Sequence, residues 1–413
     1  MNNKLTLIFV AILTVFVITS CTKPIESNLK DDNYQTASEE IEYTDTIIPT
    51  QDVAATKQHE EVIIKSLSFL GCGDNIIYGT KGARANAVEG GRALNYKPYY
   101  DGVSQMIYDA DISFINQETL MCGDGYSYSY YPMFNSPQEV GLDLVDLGFD
   151  IVNISNNHMF DKGADGLSKT IDFWKNQDVL MIGGYENPED FDNIRIFEKD
   201  GLKIAFLSYT YATNGLSKPS SSSLAIPYIN DEDITRQTSL AKEKADLVFV
   251  SVHWGDEGSF VPNQEQKRVA QLFADCGIDA IIGHHPHVIQ PVEWIYGENG
   301  NKTLCVYSLG NFMAQQDRDY NMIGGMISFD IVYSSEDDPM LENVQFIPTV
   351  FHFGGNFLGN NVMPFSEYSP ELANIHGVRT YYGNKMDYET LLGYIKNTIS
   401  GEFLPEFYHE SAQ

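Results

Sequence analysis

Asp279-Ala280-Ile281-Ile282-Gly283-His284-His285-Pro286-His287 joins a short apolar run to three of the chain's nine histidines within four positions. An apolar run that brief, stopped by a glycine, has the length of a buried strand rather than a helix. Side chains just past such a strand stand where the loops of an open α/β sheet gather. Neutral imidazole is a preferred ligand of zinc, manganese and iron, so the run is a candidate metal loop. A histidine cluster that only packs is the competing reading.

The same arrangement recurs outward from this point. Strands are expected at Ile112–Ile115, Ile151–Ile154 and Leu247–Val252, and the fold is expected to begin at Glu61–Leu70 with Val62-Ile63-Ile64. Asp74 follows the first of these in Gly71-Cys72-Gly73-Asp74, Glu118 follows the next, Asn157 and His158 the third, and His253 closes the fourth. Amphipathic spacing predicts helices over Pro137–Leu147, Gly166–Lys175, Glu232–Lys244 and Gln264–Cys276. Strands alternating with helices imply a layered α/β sheet. Lys199-Asp200-Gly201 signals a hairpin turn, Lys302–Phe353 is strand-rich, and Met386–Ile399 has helical spacing.

Length and composition set limits. The chain has 413 residues, 43% hydrophobic and 12% aromatic, enough for one large core or two closely packed ones. Its 26 basic and 57 acidic residues give a net charge of −31, which repels phosphate backbones and disfavours non-specific nucleic-acid binding, so no nucleic-acid partner is expected. A polyanionic substrate meets the same repulsion unless a cation or a basic patch overrides it.

The N-terminus reads as a targeting segment. Lys4 precedes an apolar stretch, Leu5–Ile18, that is too short to span a bilayer comfortably. It ends in Val17-Ile18-Thr19-Ser20-Cys21, which resembles a bacterial lipobox; an ordinary secretory peptide with an incidental cysteine is the alternative. Lipid on Cys21 would hold the protein to the cell membrane on its extracytoplasmic face, with Thr22–Glu60, polar and acidic, as a disordered tether. The expected organisation is a signal peptide over 1–21, the tether over 22–60, a main domain over 61–355 and a C-terminal extension with a terminal helix over 356–413. Outside the cell a bridge between Cys72 and Cys122 is permitted, although the absence of a tight cysteine framework favours four buried thiols at 72, 122, 276 and 305.

Taken singly, the polar motifs are weak, because Gly-Asp and Asn-rich loops are ordinary turn and cap chemistry. Taken together they form a mixed oxygen and nitrogen set of the kind that holds two divalent cations, which bind a substrate oxyanion and acidify water. Lys81, Arg84 and Arg92, shortly after Asp74, are a small basic group; Arg84 is the candidate to receive a substrate carboxylate.

The ordered set Gly73-Asp74, Asn116-x-Glu118, Asn156-Asn157-His158-x-x-Asp161-x-Gly163, His253-Trp254-Gly255, Gly283-x-His285-Pro286-His287 and Ser308-Leu309-Gly310-Asn311-Phe312 resembles the CapA-type poly-γ-glutamate capsule synthesis family motif by motif, over residues 65–315. The resemblance implies an α/β fold, the four-layer α/β/β/α sandwich of the calcineurin-like metallophosphoesterases. It implies that Asp74, Glu118 and His287 serve one divalent metal (Mn, Zn, Fe or Mg) and that Glu118, Asn157, His253 and His285 serve a second, with Glu118 bridging. It further implies His158 as general acid or oxyanion stabiliser, with Asp161 in the catalytic set and Asn311 as a loop organiser in contact with substrate. His284 falls at the motif's variable position. Phosphoesterases of this fold carry Asp-x-His in the first motif, and here Ile76 stands at the histidine's place, so one metal or two are both open.

Three functions follow as expectations. One is a metal-dependent hydrolase-like protein acting on poly-γ-glutamate or another anionic envelope polymer in its synthesis, export or trimming. Another is a metallophosphoesterase or nucleotidase. The last is a non-catalytic export partner of other capsule synthesis complex subunits. The chain carries no Walker-type nucleotide loop, so ATP-driven synthesis would fall to another subunit.

Overall fold

The computed structural model describes residues 63–77 and 94–409, so the calls on the signal peptide, Cys21, the tether, Lys81, Arg84 and Arg92 lie outside the described residues. Chain order runs through β1 (Lys65–Asn75), β2 (Ile112–Gln117), β3 (Ile151–Asn153) and β4 (Leu180–Ile182), which lie side by side and parallel. It then builds a second sheet from β5 (Arg195–Lys199), β6 (Leu202–Thr210), β7 (Leu247–His253), β8 (Ala280–His284), β9 (Val292–Tyr296) and β10 (Lys302–Val306). Finally it returns to the first sheet with β11 (Asn311–Met313), β12 (Ile323–Tyr333), β13 (Met340–His352) and β14 (Asn361–Pro364). The first sheet has the order β14-β13-β12-β1-β2-β3-β4 with β11 paired to β1, and the second β5-β6-β7-β8-β10-β9. The expected α/β architecture of two sheets with flanking helices is present.

Alternation along the strands explains the layering, because successive side chains point to opposite faces. In β7, Leu247 and Phe249 join the large core shared with the first sheet, whereas Val248, Val250 and Val252 join a separate cluster with Ile234, Ala241, Val269, Ala270 and Phe273. Those last five residues belong to the helices Asp231–Lys242 and Gln264–Cys276, which cover the outer face of the second sheet. The outer side of the first sheet is covered by the helices Gln138–Leu147 and Gly163–Lys175 through Val140, Leu144, Leu167, Ile171 and Trp174. Between the sheets, Phe249 meets Phe69 edge-on at 5.6 Å, Phe206 at 5.6 Å and Phe329 at 5.8 Å.

Several boundaries move from their expected places. The fold's first strand starts at Lys65 rather than with Val62-Ile63-Ile64, and Ile63 and Ile64 are 70% and 71% exposed. Their β-branched side chains satisfy strand propensity but find no sheet face to cover. Beyond residue 355 the same body continues: β14 pairs with β13, and Phe365, Tyr368, Leu391, Ile395 and Tyr408 enter the main core, with a helix at Tyr388–Thr398. The four cysteines of the described residues are free thiols, so the Cys72–Cys122 bridge does not form, and Cys276 is half-buried rather than buried. Burial pushes the Cys122 thiol up to about 11.

The aromatic contact between the sheets sets the first prediction. Phe249→Ala is expected to cost about 3–5 kcal/mol in a denaturant titration, whereas Val261→Ala, on an exposed side chain, should stay within about 0.5 kcal/mol.

Candidate metal centre

The site residues are placed by strand ends. In β1 the pairing to β2 slips between Cys72 and Asp74. Because a one-residue slip moves side chains to the other face, this irregularity turns Asp74 toward the second sheet, where Phe69 already points. Gly73 is required at the slip: a Cβ there would lie 2.2 Å from the Gly310 carbonyl oxygen, which accepts the Asp74 N–H at 2.9 Å. A line of buried side chains then fixes the carboxylate. Ser208 Oγ donates to Asn153 Oδ1 (2.5 Å), Asn153 Nδ2 to Asn116 Oδ1 (2.7 Å), and Asn116 Nδ2 to Asp74 Oδ1 (2.8 Å).

Opposite, β7 ends in His253, and β8 ends in His284 with His285 and His287 beyond it. His285 and His287 have left-handed backbones, φ 99° and 56°, a conformation that costs roughly 1–3 kcal/mol each and recurs at functional sites. The structure brings Asp74, Glu118, His253, His285 and His287 together as expected. Ligand atoms of Glu118, His285 and His287 lie within 4.8 Å of one another, as do those of Asp74, Glu118 and His253. Glu118 is common to both groups. These groups differ from the implied ones, which set His285 with His253 and His287 with Asp74. Two further contacts fall within the implied sets, since His287 Nδ1 is 3.3 Å from Asp74 Oδ2 and the His253 and His285 rings are 4.8 Å apart. The residues thus form one cluster. Asn157 joins it with Oδ1 3.0 Å from His253 Nε2.

The donor set fits a cation. Both oxygens of Glu118 are buried without a hydrogen-bond donor, as is Nδ1 of His285. Leaving such groups unpaired is costly, and a divalent ion would satisfy them. The titrations of the neighbouring groups differ: although burial pulls it down, Glu118 and Asp74 push His287 up to about 9. Burial pushes Glu118 well above the usual carboxylate range, with His287 opposing and Asp74 adding. Burial also tends to raise Asp74, but the adjoining His284 and His287 override it and hold it well below. Burial, reinforced by His287, takes His285 down to about 3, which keeps a neutral imidazole for ligation.

Two expected roles change. Asn311 was expected to touch substrate. Its Oδ1 lies 3.0 Å from His287 Nδ1, and its Nδ2 donates to Gln316 Oε1 (2.8 Å) and Asn321 O (3.0 Å). The amide is used up inside the protein, so Asn311 orients His287 and leaves Nε2 facing Glu118 Oε1 at 3.7 Å. Asp161 was expected in the catalytic set. Its Oδ2 accepts from the Phe134 N–H (2.7 Å) and lies 2.8 Å from His158 Nδ1, so it positions His158. His284 is buried, stacked on Phe114 with Nδ1 3.2 Å from Asp74 Oδ1, and belongs to neither ligand group. Ile76 packs with Phe134 and Ala314, so no imidazole stands at the first motif.

His158, Asp161 and Asn157 form part of a cavity of about 260 Å³ with Tyr131, Met133, Asn214, Leu216 and Glu257. Sequence reasoning missed Asn214 and also Tyr211, whose ring is 4.6 Å from that of His285. Asn214-Gly215 was legible as a turn, but nothing local says that the turn faces the cluster.

Residues 31–316 match the family model described as "Bacterial capsule synthesis protein PGA_cap". The chain is 36% identical to the capsule biosynthesis protein CapA of Bacillus anthracis over 178 residues, 41% of this chain and 41% of that one. It is 35% identical to the PGA biosynthesis protein CapA of Bacillus subtilis (strain 168) over 175 residues, 42% of this chain and 44% of that one. The matched region therefore spans less than half the length of these curated relatives. Among solved structures, the NAD nucleotidase NadN of Haemophilus influenzae is 14% identical with a TM-score of 0.44, covering 83% of this chain and 65% of that chain. The calcineurin-like phosphoesterase YfkN of Bacillus subtilis is 13% identical with a TM-score of 0.39, covering 81% and 97%.

Replacing the shared carboxylate separates ligation from packing. Glu118→Gln keeps the shape and removes a carboxyl that burial holds well above its usual range; keeping it protonated at neutral pH costs stability, so the chelator-treated variant should melt at a higher temperature than the parent. Its divalent-ion uptake should fall by more than ~100-fold, beyond what losing an outer partner causes. Thermal scans with EDTA and with Mn²⁺ read both effects; an undiminished Mn²⁺-induced rise in the variant would remove Glu118 from the ligand set.

Proposed function

Because the chain belongs to the bacterial capsule synthesis protein PGA_cap family, we propose that it acts in the making of a poly-γ-glutamate capsule or a related anionic envelope polymer, as a metal-dependent hydrolase that trims the chain. The observation that carries this reading is the convergence of Asp74, Glu118, Asn157, His253, His285 and His287 around a buried carboxylate whose two oxygens have no donor. The names of the two Bacillus relatives, capsule biosynthesis and PGA biosynthesis, support the choice of polymer.

A divalent cation held by these six side chains would supply the positive charge that draws a substrate oxygen and acidifies water. The protein's own groups do the rest. Asp161 accepts the Nδ1 proton of His158, which leaves Nε2 to deliver a proton to the departing atom. For a γ-amide, the oxygen of water bonds to the carbonyl carbon and the C–N bond breaks; His158 gives its proton to the leaving nitrogen, and the proton lost by water restores His158, leaving a carboxyl group and a free amine. The Asn311 contact on His287 and the Asn116 bond on Asp74 hold two ligands in fixed orientation, as outer partners do at metal sites. Lipid attachment at Cys21 would keep the enzyme at the outer face of the membrane, where the polymer emerges, beside the other subunits of a capsule complex.

Metal-loaded protein incubated with poly-γ-glutamate should shorten the polymer, with new amine ends appearing. His158→Ala should lower that rate by about 10²–10⁴-fold while keeping the metal. Cleavage of a phosphodiester panel with the polymer left intact would instead make the protein a phosphoesterase. Full complementation of a capsule defect by Asn157→Ala/His158→Ala would make it a non-catalytic partner.

A further inference from the structure

Asn214 sits on the loop after β6, which belongs to the opposite sheet from β3, the strand before the loop that carries Asn157. Its backbone is left-handed, φ 51°, and Gly215 follows at φ 75°. Two successive positive φ values with Leu216 N–H donating to Thr213 O at 2.8 Å make a tight turn of the kind Asn-Gly favours. The turn is tied down further. Thr213 Oγ1 donates to Leu216 O at 2.6 Å and lies 2.8 Å from the Tyr228 hydroxyl. Turn chemistry accounts for the backbone, but it leaves open where the side chain goes.

The side chain reaches the cluster. Asn214 Oδ1 accepts from Asn157 Nδ2 at 3.1 Å, and Asn214 Nδ2 lies 3.3 Å from His158 Nδ1. An asparagine ligates a cation through oxygen only, yet its amide can turn over with little change of shape. A carbonyl oxygen placed on one side of Asn157 selects the nitrogen for that side and so turns Oδ1 to the other, where it stands 3.0 Å from His253 Nε2. His253 Nε2 is in turn 3.7 Å from Glu118 Oε1. Donors that share one ion at 2.0–2.2 Å lie roughly 3–3.5 Å apart, so Asn157 Oδ1 and His253 Nε2 have the spacing of neighbouring ligands, with Glu118 Oε1 slightly farther off.

We propose that Asn214 is a positioning residue: it fixes the amide of Asn157 with the oxygen toward the metal cluster. This rests on the metal-centre reading above. It ties a ligand on the first sheet to a loop of the second, so the cluster is complete only when both sheets hold their relative place.

Calorimetric titration of the full chain with Mn²⁺ tests it. Asn214→Gly keeps the turn, because glycine adopts both positive φ values freely, and removes only the side chain. The expected loss of Mn²⁺ affinity is about 10–100-fold, with the melting temperature of the chelated protein unchanged. Asn214→Asp retains an acceptor for Asn157 Nδ2 and should bind at least as tightly as the parent. Asn157→Ala combined with Asn214→Gly should bind no worse than Asn157→Ala alone, because the second residue acts through the first. Parent-like affinity in Asn214→Gly, equal loss in Asn214→Asp, or additive losses in the double variant would each overturn the proposal while leaving the metal centre standing. A parent chain that takes up no Mn²⁺ would overturn both.

Discussion

The molecule is organised around two carboxylates, Asp74 and Glu118, shut away from water between two sheets. A buried carboxylate is expensive unless it is surrounded by donors or cations. Asp74 has what it needs from the protein: Asn116 Nδ2 at 2.8 Å, the His285 N–H at 3.2 Å and two neighbouring imidazoles. Glu118 has no donor on either oxygen. Much of the nearby architecture follows from supplying one and withholding from the other. The slip at Gly73 aims Asp74 inward, the left-handed backbones of His285 and His287 bring imidazoles in, and the Phe69–Phe249–Phe329 packing holds the two strand-end rows face to face.

That arrangement separates stability from purpose. An apolar residue in place of Glu118 would suit the surrounding packing better, as buried ionic groups generally cost more than hydrophobic substitutes. The Ser208–Asn153–Asn116 line likewise spends core volume on polar atoms, each of them bonded. Fully satisfied networks of this kind fix a single geometry. Satisfaction up to Asp74 and its abrupt end at Glu118 therefore mark the place where the protein alone is incomplete.

How much of this could be read in the sequence depends on the distance over which each feature is decided. The helix Gln264–Cys276 was legible to the residue, because its limits are set locally by the Asn263–Gln266 capping box and by Gly277 in a left-handed cap. The hairpin at Asp200-Gly201 was legible for the same reason: both residues have positive φ and connect β5 to β6. The six ligand candidates were legible as residues following strands, because parallel strands deliver their C-terminal ends to one edge. Ile63 and Ile64 misled because propensity is local and burial is not. Asn311 misled because its motif places it near the site, while the partners that use up its amide, Gln316 and Asn321, are set by the return of β11 and β12 to the first sheet. Asn214 was invisible as a site residue, since only the facing of two sheets brings a turn after β6 to a loop after β3.

The net charge of −31 bears on substrate less than it first suggests. Exposed charges further apart than about 8–10 Å are screened at physiological salt, so the balance within one such length of the cavity decides whether an anionic polymer can enter. The described acidic groups there include Glu257 and Asp161 on the cavity lining and the cluster carboxylates Asp74 and Glu118. Hydrogen bonds hold Asp161 and Asp74 in place without removing their charge. A bound divalent ion would bring a charge of +2 and offset part of this negative balance, and a second would offset more. A metal at the site would therefore do two things: supply chemistry, and weaken the repulsion that an incoming carboxylate meets.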